Sequence, residues 1–490
     1  MTPAKKKKDL ITFSPELRAD DPCANYWMRQ ATLRLRREIS WIWHERGLQP
    51  PDASVSAMLP PFSDKLSSTL DMSRFWAEKQ NFYLSDTTAR YLTEQLNEKP
   101  PRAASKNSAR GSFGWVVKEL ELDEVSQFVL ALTLTVAFDA SMGSVVAATL
   151  NDQAKIYPTL ALAQRLWDQP EDVLRISDPF HPLFRCGLIR HSNQGGHYWA
   201  ETGWDALIMA PSPVTNQLLF KSNPFPHGLV ALDSAKTDAE LTEAARIISL
   251  RLRAEMRDGL RIVPVIGAKG APRREIVEAI AKANGKEAVE FKGDAALMDD
   301  NYYLNSIATV CWLKDAYLFF SKEWPAAQAL ADKHHTLRAM LPLQTIPATL
   351  FLALSERGQL SSLPQNLLLP QVNVPQTSYR ERIECWEKCL GAKAKALKPV
   401  IAECARRFRF EKEIINSACE ELRELPGEIT KQDFISACRA EMNSDIGEMA
   451  SFVSPRFTSE RLILPHRRQL QFNEILKAMQ SLTEVHYTWG

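Results

Sequence analysis

The 490-residue chain has few cysteines, little net charge and no long apolar run. Its eight cysteines form no CxxC pair, which excludes a disulfide scaffold and predicts reduced, buried thiols of a cytoplasmic protein with no metal role. Sixty basic and 59 acidic residues leave a net charge of +1, which excludes a polyanion binder that works through bulk charge. The longest apolar run, from Phe128 to Phe138, is stopped by Asp139 and falls short of the about 20 residues that span a bilayer. No apolar segment follows the basic run from Lys5 to Lys8, so neither a signal peptide nor a membrane partner is expected.

The N-terminal half shows helical periodicity interrupted by loops. Apolar residues recur three and four apart over 22–45 and again over 73–97, which predicts a helical hairpin. Three further helical stretches, at about 122–140, 139–150 and 157–167, precede a Gly-Gly turn at 195–196 between two short predicted strands, 187–190 and 197–199. Three helices followed by a β-hairpin predict a winged-helix unit.

The winged-helix prediction raises the question of DNA binding. The third helix has Arg165 as its only basic residue, whereas base reading and phosphate contacts need several. The sequence therefore favours a protein partner over DNA. His181, His191 and His197 lie near the hairpin without cysteine or acidic residues at ligand spacing, so no zinc site is predicted.

Strand and helix patterns alternate from about residue 227. Apolar strands are predicted at 228–232, 261–266, 288–291, 316–320, 348–354 and 367–374. Strands that alternate with helices predict a parallel α/β sheet, and helical periodicity returns after Tyr379. Pro264 lies in the middle of the second strand, where a missing N–H is unusual.

The strand at 261–266 is followed by a glycine loop and a helix, which is where proteins commonly bind phosphate. An active loop has the spacing GxxxxGK[ST], in which the lysine reaches the phosphates and the hydroxyl binds Mg²⁺. Gly267 stands at the first glycine position and Gly270 lies inside the loop. Pro272 replaces the second glycine and lacks an N–H. Arg273 and Arg274 replace the lysine and the hydroxyl residue, and an arginine cannot bind Mg²⁺.

A nucleotide site of this kind also needs a strand that ends in two carboxylates. The strand that ends at Phe320 is instead followed by Ser321 and Lys322. We therefore predict a nucleotide site that keeps its geometry but has no catalytic residue, metal ligand or intact cofactor site. This hypothesis expects the strand of Phe319 to lie alongside that of Val265. An unrelated α/β domain whose loop merely contains glycines is the alternative.

Residues 115 to 490 resemble a bacterial AAA+ ATPase with two tandem ATPase modules, the first of them degenerate. The resemblance rests on the altered phosphate loop at 267–274, the altered strand end at 321–322, and the segment 348–355 at the place of the sensor-one strand. Within that family, the chain is most similar to the ATPase of extracellular contractile injection systems.

The resemblance implies a partner and a mode of assembly. It implies a protein substrate or effector cargo, an unfoldase or loader activity, and a homohexamer when a second, active module is present. ATP and Mg²⁺ would bind in that module only. The segment Arg461 to Pro465 with its following helix would lead into the second module, and the chain stops at Gly490 before it.

Two other hypotheses stay open: a winged-helix DNA-binding regulator with an α/β sensor domain, and a nucleotide-free scaffold. The predicted fold is a multidomain α+β chain. Its parts are a mobile tail (1–21), an N-terminal helical hairpin (22–98), a flexible linker (99–114), a winged-helix domain (115–226), a degenerate AAA+ α/β core (227–378), a helical lid (379–445) and a lead-in segment (446–490).

Overall fold

A computed structural model gives the fold of the chain. It describes residues 21–47, 72–100, 108–192, 203–220, 223–232, 242–254, 259–293, 300–321, 343, 345–425, 429–446 and 462–487. Among the helices in these ranges, none has the length and apolar character that a membrane crossing requires.

The N-terminal part is a bundle of helices around a long central one. These helices are α1 (Pro22–Glu45), α2 (Met72–Ser85), α3 (Thr87–Leu96), α4 (Phe113–Glu119), α5 (Glu124–Phe138), α6 (Ala140–Leu150) and α7 (Leu160–Leu166). The first helix begins at Pro22, and the Asp21 carboxylate accepts a hydrogen bond from the Ala24 N–H at 3.1 Å. Because α1 packs against both α3 and α5, the first helix of the predicted hairpin shares one core with the helices of the predicted winged-helix domain.

The predicted linker is partly wrong. Residues 101–107 lie outside the described residues, but residues 108–114 are packed against the rest of the protein. Phe113 and Gly114 begin α4 and are buried, and Arg110 forms an ion pair with Asp315 at 3.0 Å. This contact spans about two hundred positions of the chain, so the local abundance of glycine and proline could not reveal it.

A small sheet follows the N-terminal helices. A 3₁₀ helix (Pro170–Ser177) and α8 (Pro182–Arg185) lead to β1 (Arg190–His191). This strand pairs antiparallel with β2 (Ile208–Met209), and α9 (Ser212–Leu219) comes next. The Gly-Gly turn and the predicted strand 197–199, with His197, lie outside the described residues, so the predicted hairpin stays a prediction.

The second half contains a six-stranded sheet. The elements are β3 (Leu229–Ala231), α10 (Glu243–Arg253), β4 (Arg261–Ile266), α11 (Arg273–Asn284), β5 (Glu287–Phe291), α12 (Asn301–Lys314), β6 (Ala316–Phe320), β7 (Thr349–Leu354) and β8 (Val372–Asn373). The strand order is β3-β5-β6-β7-β4-β8, and every pairing is parallel except that of β3 with β5. The parallel sheet is thus confirmed, but β7 lies between β4 and β6. The expectation that the strand of Phe319 lies directly alongside that of Val265 is wrong.

Pro264 fits the central strand β4 because of where its nitrogen points. The carbonyls of Ile262 and Ile266 accept hydrogen bonds from Leu369 and Val374, on the side of β8. Since alternate residues of a strand point their backbone groups to the same side, the nitrogen of Pro264 also faces β8. The pairing of β4 with β8 covers only Val265 and Ile266, so no ladder hydrogen bond is lost at the proline.

The helix α12 joins the N-terminal bundle to the sheet. The Thr309 hydroxyl donates to the Cys186 carbonyl at 2.9 Å, and the Lys314 ammonium donates to the Asn223 carbonyl at 2.6 Å. One apolar core runs from α1 through α5 and α12 to one face of the sheet, and a second core covers the other face beneath α10 and α11. The N-terminal bundle is therefore docked on the α/β core.

Four helices with a core of their own follow the sheet. They are α13 (Tyr379–Leu390), α14 (Ala394–Arg407), α15 (Lys412–Glu424) and α16 (Lys431–Ile446). A further helix, α17 (His466–Tyr487), lies where the sequence predicts the lead-in helix. The predicted helical character of 379–445 is confirmed.

Candidate functional site

The loop between β4 and α11 lies at the carboxyl end of a central parallel strand. A Cβ atom on Gly267 would lie 3.0 Å from Cβ of Ala271 and of Val374. Gly270 has a φ of +76°, in the left-handed region that favours glycine. The turn therefore favours glycine at position 270 by its backbone conformation and leaves little room for a side chain at position 267.

Arg273 points back into this loop. Its side chain is 6% exposed, and its guanidinium donates to the carbonyl oxygens of Gly267 at 2.9 Å and Ala268 at 2.8 Å. Pro272 precedes the helix as its N-cap and makes no side-chain capping bond. The Arg273 guanidinium thus binds carbonyl oxygens of the loop. These lie next to the place where a phosphate-binding loop would bind its anion.

Arg274 points away from the loop. Its guanidinium contacts the carboxylate of Glu278 at 2.9 Å, one turn along α11, and that of Glu290 on β5 at 3.6 Å. The residue at the position of the Mg²⁺-binding hydroxyl is therefore a cation held by two carboxylates.

A cavity of about 370 Å³ lies between the loop, the end of β6 and the lid. Its lining residues are Lys269, Gly270, Ala271, Arg273, Phe319, Ser321 and Glu413. The structure thus brings Gly270, Arg273 and Ser321 to one cavity. It does not bring Gly267, Pro272 or Arg274 to the cavity wall, and Lys322 lies outside the described residues.

The described residues do not fit a magnesium–nucleotide group. Two arginines stand where such a site has a lysine and a metal-binding hydroxyl, and Ser321 stands where β6 would end in a carboxylate. Within the described ranges, no group of three or more His, Cys, Asp or Glu side chains is arranged to hold a metal ion.

Sequence reasoning missed the contribution of the lid to this site. The N–H of Glu413, at the start of α15, donates to the carbonyl of Gly270 at 3.1 Å. Its carboxyl lines the cavity, where desolvation raises its pKa although the Arg273 guanidinium opposes this effect. No spacing in the sequence links these two segments, which are more than 140 positions apart.

A second cluster of charged side chains lies in the N-terminal bundle. The Glu38 carboxylate contacts the Lys79 ammonium at 2.6 Å and the Arg165 guanidinium at 2.9 Å. Glu38 and Lys79 are each 1% exposed. Arg165, the only basic residue of the third winged-helix segment, is therefore bound to α1.

The cysteines form no disulfides, and His181 and His191 contact other side chains of the protein. All eight cysteines are free; six are buried, but Cys385 and Cys389 are half-buried, which corrects the expectation that all are buried. Burial raises the pKa of Cys385 to about 12. His191 stacks on Phe184 with 4.7 Å between ring centroids, and His181 Nε2 lies 3.2 Å from the Ser126 hydroxyl.

The arrangement is that of a largely parallel α/β sheet in which β4 leads through a glycine loop into α11, with a four-helix unit that contacts this loop. Residues 378–444, which form the four lid helices, match the family model of the contractile injection system ATPase helical domain. This match confirms the resemblance to a contractile injection system ATPase over the part of the chain that it covers. No curated protein matches the chain.

Solved structures of AAA proteins are also similar to this chain. A katanin structure (Structural Basis for Katanin Self-Assembly) is 14% identical, covers 44% of this chain and 87% of its own, and has a TM-score of 0.32. The AAA domain of FIGL-1 is 12% identical over 44% of this chain and 90% of its own, with a TM-score of 0.30. Its complex with ADP is 10% identical over 51% and 93%, with a TM-score of 0.30. These TM-scores are too low to support an argument about this chain.

Proposed function

We propose that this chain is the partner-binding and ring-shaping part of an AAA+ protein of a contractile injection system, and that its own module neither binds nor hydrolyses ATP. The main support for this proposal is the buried Arg273 guanidinium, which donates hydrogen bonds to two carbonyls of the loop between β4 and α11. ATP and Mg²⁺ would act in a second module, within a homohexamer.

The N-terminal bundle with its winged-helix unit would bind the protein partner, either effector cargo to be unfolded and loaded or a component of the injection particle. The position of Arg165 supports a protein partner. Its guanidinium donates to the Glu38 carboxylate at 2.9 Å and to the Thr149 carbonyl at 3.2 Å, so it is not directed toward a duplex. This weakens the alternative of a DNA-binding regulator.

Calorimetric titration of the whole chain with Mg²⁺ and ATP tests the inactive site. We expect no binding heat and no phosphate release. Binding that requires Mg²⁺ and is abolished by Arg273→Ala would contradict the proposal.

Anisotropy titration of a labelled DNA duplex at low salt tests the alternative. We expect a flat curve. Binding that weakens steeply with added salt, as phosphate contacts dictate, would favour the DNA-binding regulator instead.

A further inference from the structure

The start of the lid helix α15 lies directly over the phosphate loop. A Cβ atom added to Gly270 would lie 2.5 Å from Cγ1 of Ile414, closer than real Cβ contacts allow. The neighbouring N–H of Glu413 donates to the carbonyl of the same glycine at 3.1 Å. Loop and lid therefore fit together at a point where only glycine leaves enough room.

The same short segment is tied to two other parts of the core. The Lys412 ammonium lies 3.9 Å from the carboxylate of Glu275 on α11. The buried Glu411 carboxylate accepts hydrogen bonds from the Thr377 N–H at 3.1 Å and the Thr377 hydroxyl at 2.5 Å, just before the lid begins. We call residues 411–414 the latch, because each of the four contacts the loop, α11 or the core–lid junction.

From these contacts we infer that the latch fastens the lid to the phosphate loop without a nucleotide, so that the module moves as one rigid body. A ligand can shift a lid only by binding its two positions with different affinity. Here the contacts that hold the lid come from the chain itself. The inference rests on the proposed absence of nucleotide binding.

Four variants of the whole chain test the latch by hydrogen–deuterium exchange of residues 411–424. Gly270→Ala introduces both backbone strain and the contact with Ile414. Gly285→Ala is the matched control, since Gly285 has a similar φ of +64° but no atom within 4 Å of its Cβ position. Ile414→Ala removes the opposing side chain, and the double variant Gly270→Ala/Ile414→Ala removes the clash while keeping the strain.

We expect Gly270→Ala to speed exchange of this segment about tenfold or more, in line with the usual cost of overpacking. Gly285→Ala should leave it near the wild-type rate. The double variant should exchange more slowly than Gly270→Ala, because the two sites are in contact and their effects are not additive.

Equal exchange in the two glycine variants, or additive effects in the double variant, would overturn the latch. A separate comparison of the wild type with and without Mg²⁺ and ATP tests the proposed inactivity. We expect no change there. Added protection would overturn the inactive site, whereas the variant series without nucleotide reports on the latch alone.

Discussion

Replacing Glu38 by glutamine should destabilise the N-terminal bundle strongly. The change is isosteric, so it opens no cavity, but it leaves the Lys79 ammonium, which is 1% exposed, without a carboxylate. The Tyr83 hydroxyl, which donates to Glu38 at 3.1 Å, keeps an acceptor in the amide oxygen. Breaking a buried ion pair by removing one partner costs about 3–5 kcal/mol, because the other charge stays buried and uncompensated.

A double variant tests whether this loss of stability comes from the uncompensated charge of Lys79. Glu38→Gln/Lys79→Met removes both members of the buried pair, and Arg165, whose side chain is one-third exposed, can turn to water. We expect it to recover most of the lost stability, since neutral replacements of a buried pair are often harmless. Urea unfolding followed by tryptophan fluorescence measures the unfolding free energy. With a slope of about 2–3 kcal/mol per molar, the expected loss of about 3–5 kcal/mol in the single variant lowers the unfolding midpoint by about 1–2.5 M.

The stability of the N-terminal bundle should also depend on pH through the charged cluster of Glu38, Lys79 and Arg165. Burial alone would raise the pKa of Glu38, but Lys79 and Arg165 together lower it below its ordinary value of 4.5. Its contribution is therefore present above that pH and is lost as the pH falls through the lowered pKa. The Glu38→Gln variant should lack this part of the acid dependence. A single variant within about 0.5 kcal/mol of the wild type, or additive effects in the double variant, would refute the reasoning.

Three further predictions concern other sites. Arg273→Met should lower the unfolding free energy in urea by about 2–3 kcal/mol, because two loop carbonyls lose a buried charged donor; an unchanged midpoint contradicts this. Gly187→Ala should lower the melting temperature by several degrees, since its Cβ would lie 2.3 Å from Oδ1 of Asn305, whereas Gly358→Ala, with no atom within 4 Å, should not. Burial lowers the pKa of His191 from 6.5, so the melting temperature should fall as the pH drops below that value. His191→Phe should show a smaller fall, and an identical pH profile would refute the assignment.

Local patterns were enough to predict most of the α/β elements. The apolar run from Arg261 to Ile266 is wholly buried as β4, and the helix that follows begins at Arg273 as expected. Trp27 and Trp41, which follow the apolar periodicity of 22–45, are buried in α1. Sequence periodicity indicates which face of a helix or strand is apolar, and each of these elements buries that face.

Contacts between distant segments were not predictable. Chain order alone does not say that β7 separates β4 from β6, because parallel strands can be crossed over in several orders. Arg110 stands in a stretch that looks like a linker, and its partner Asp315 is an ordinary surface residue by sequence. The lid contact on Gly270 is of the same kind, since a glycine in a loop does not reveal what approaches it.

Arg273 connects the proposed inactive site with the proposed latch. A lysine places a mobile point charge that a phosphate can attract, whereas the planar guanidinium of Arg273 reaches two carbonyl oxygens of its own loop at once. The loop is then held in shape by the protein rather than by an anion. A loop that keeps its shape without an anion can hold a lasting contact with Ile414, so we infer that Arg273 supports both the proposed loss of nucleotide binding and the proposed latch.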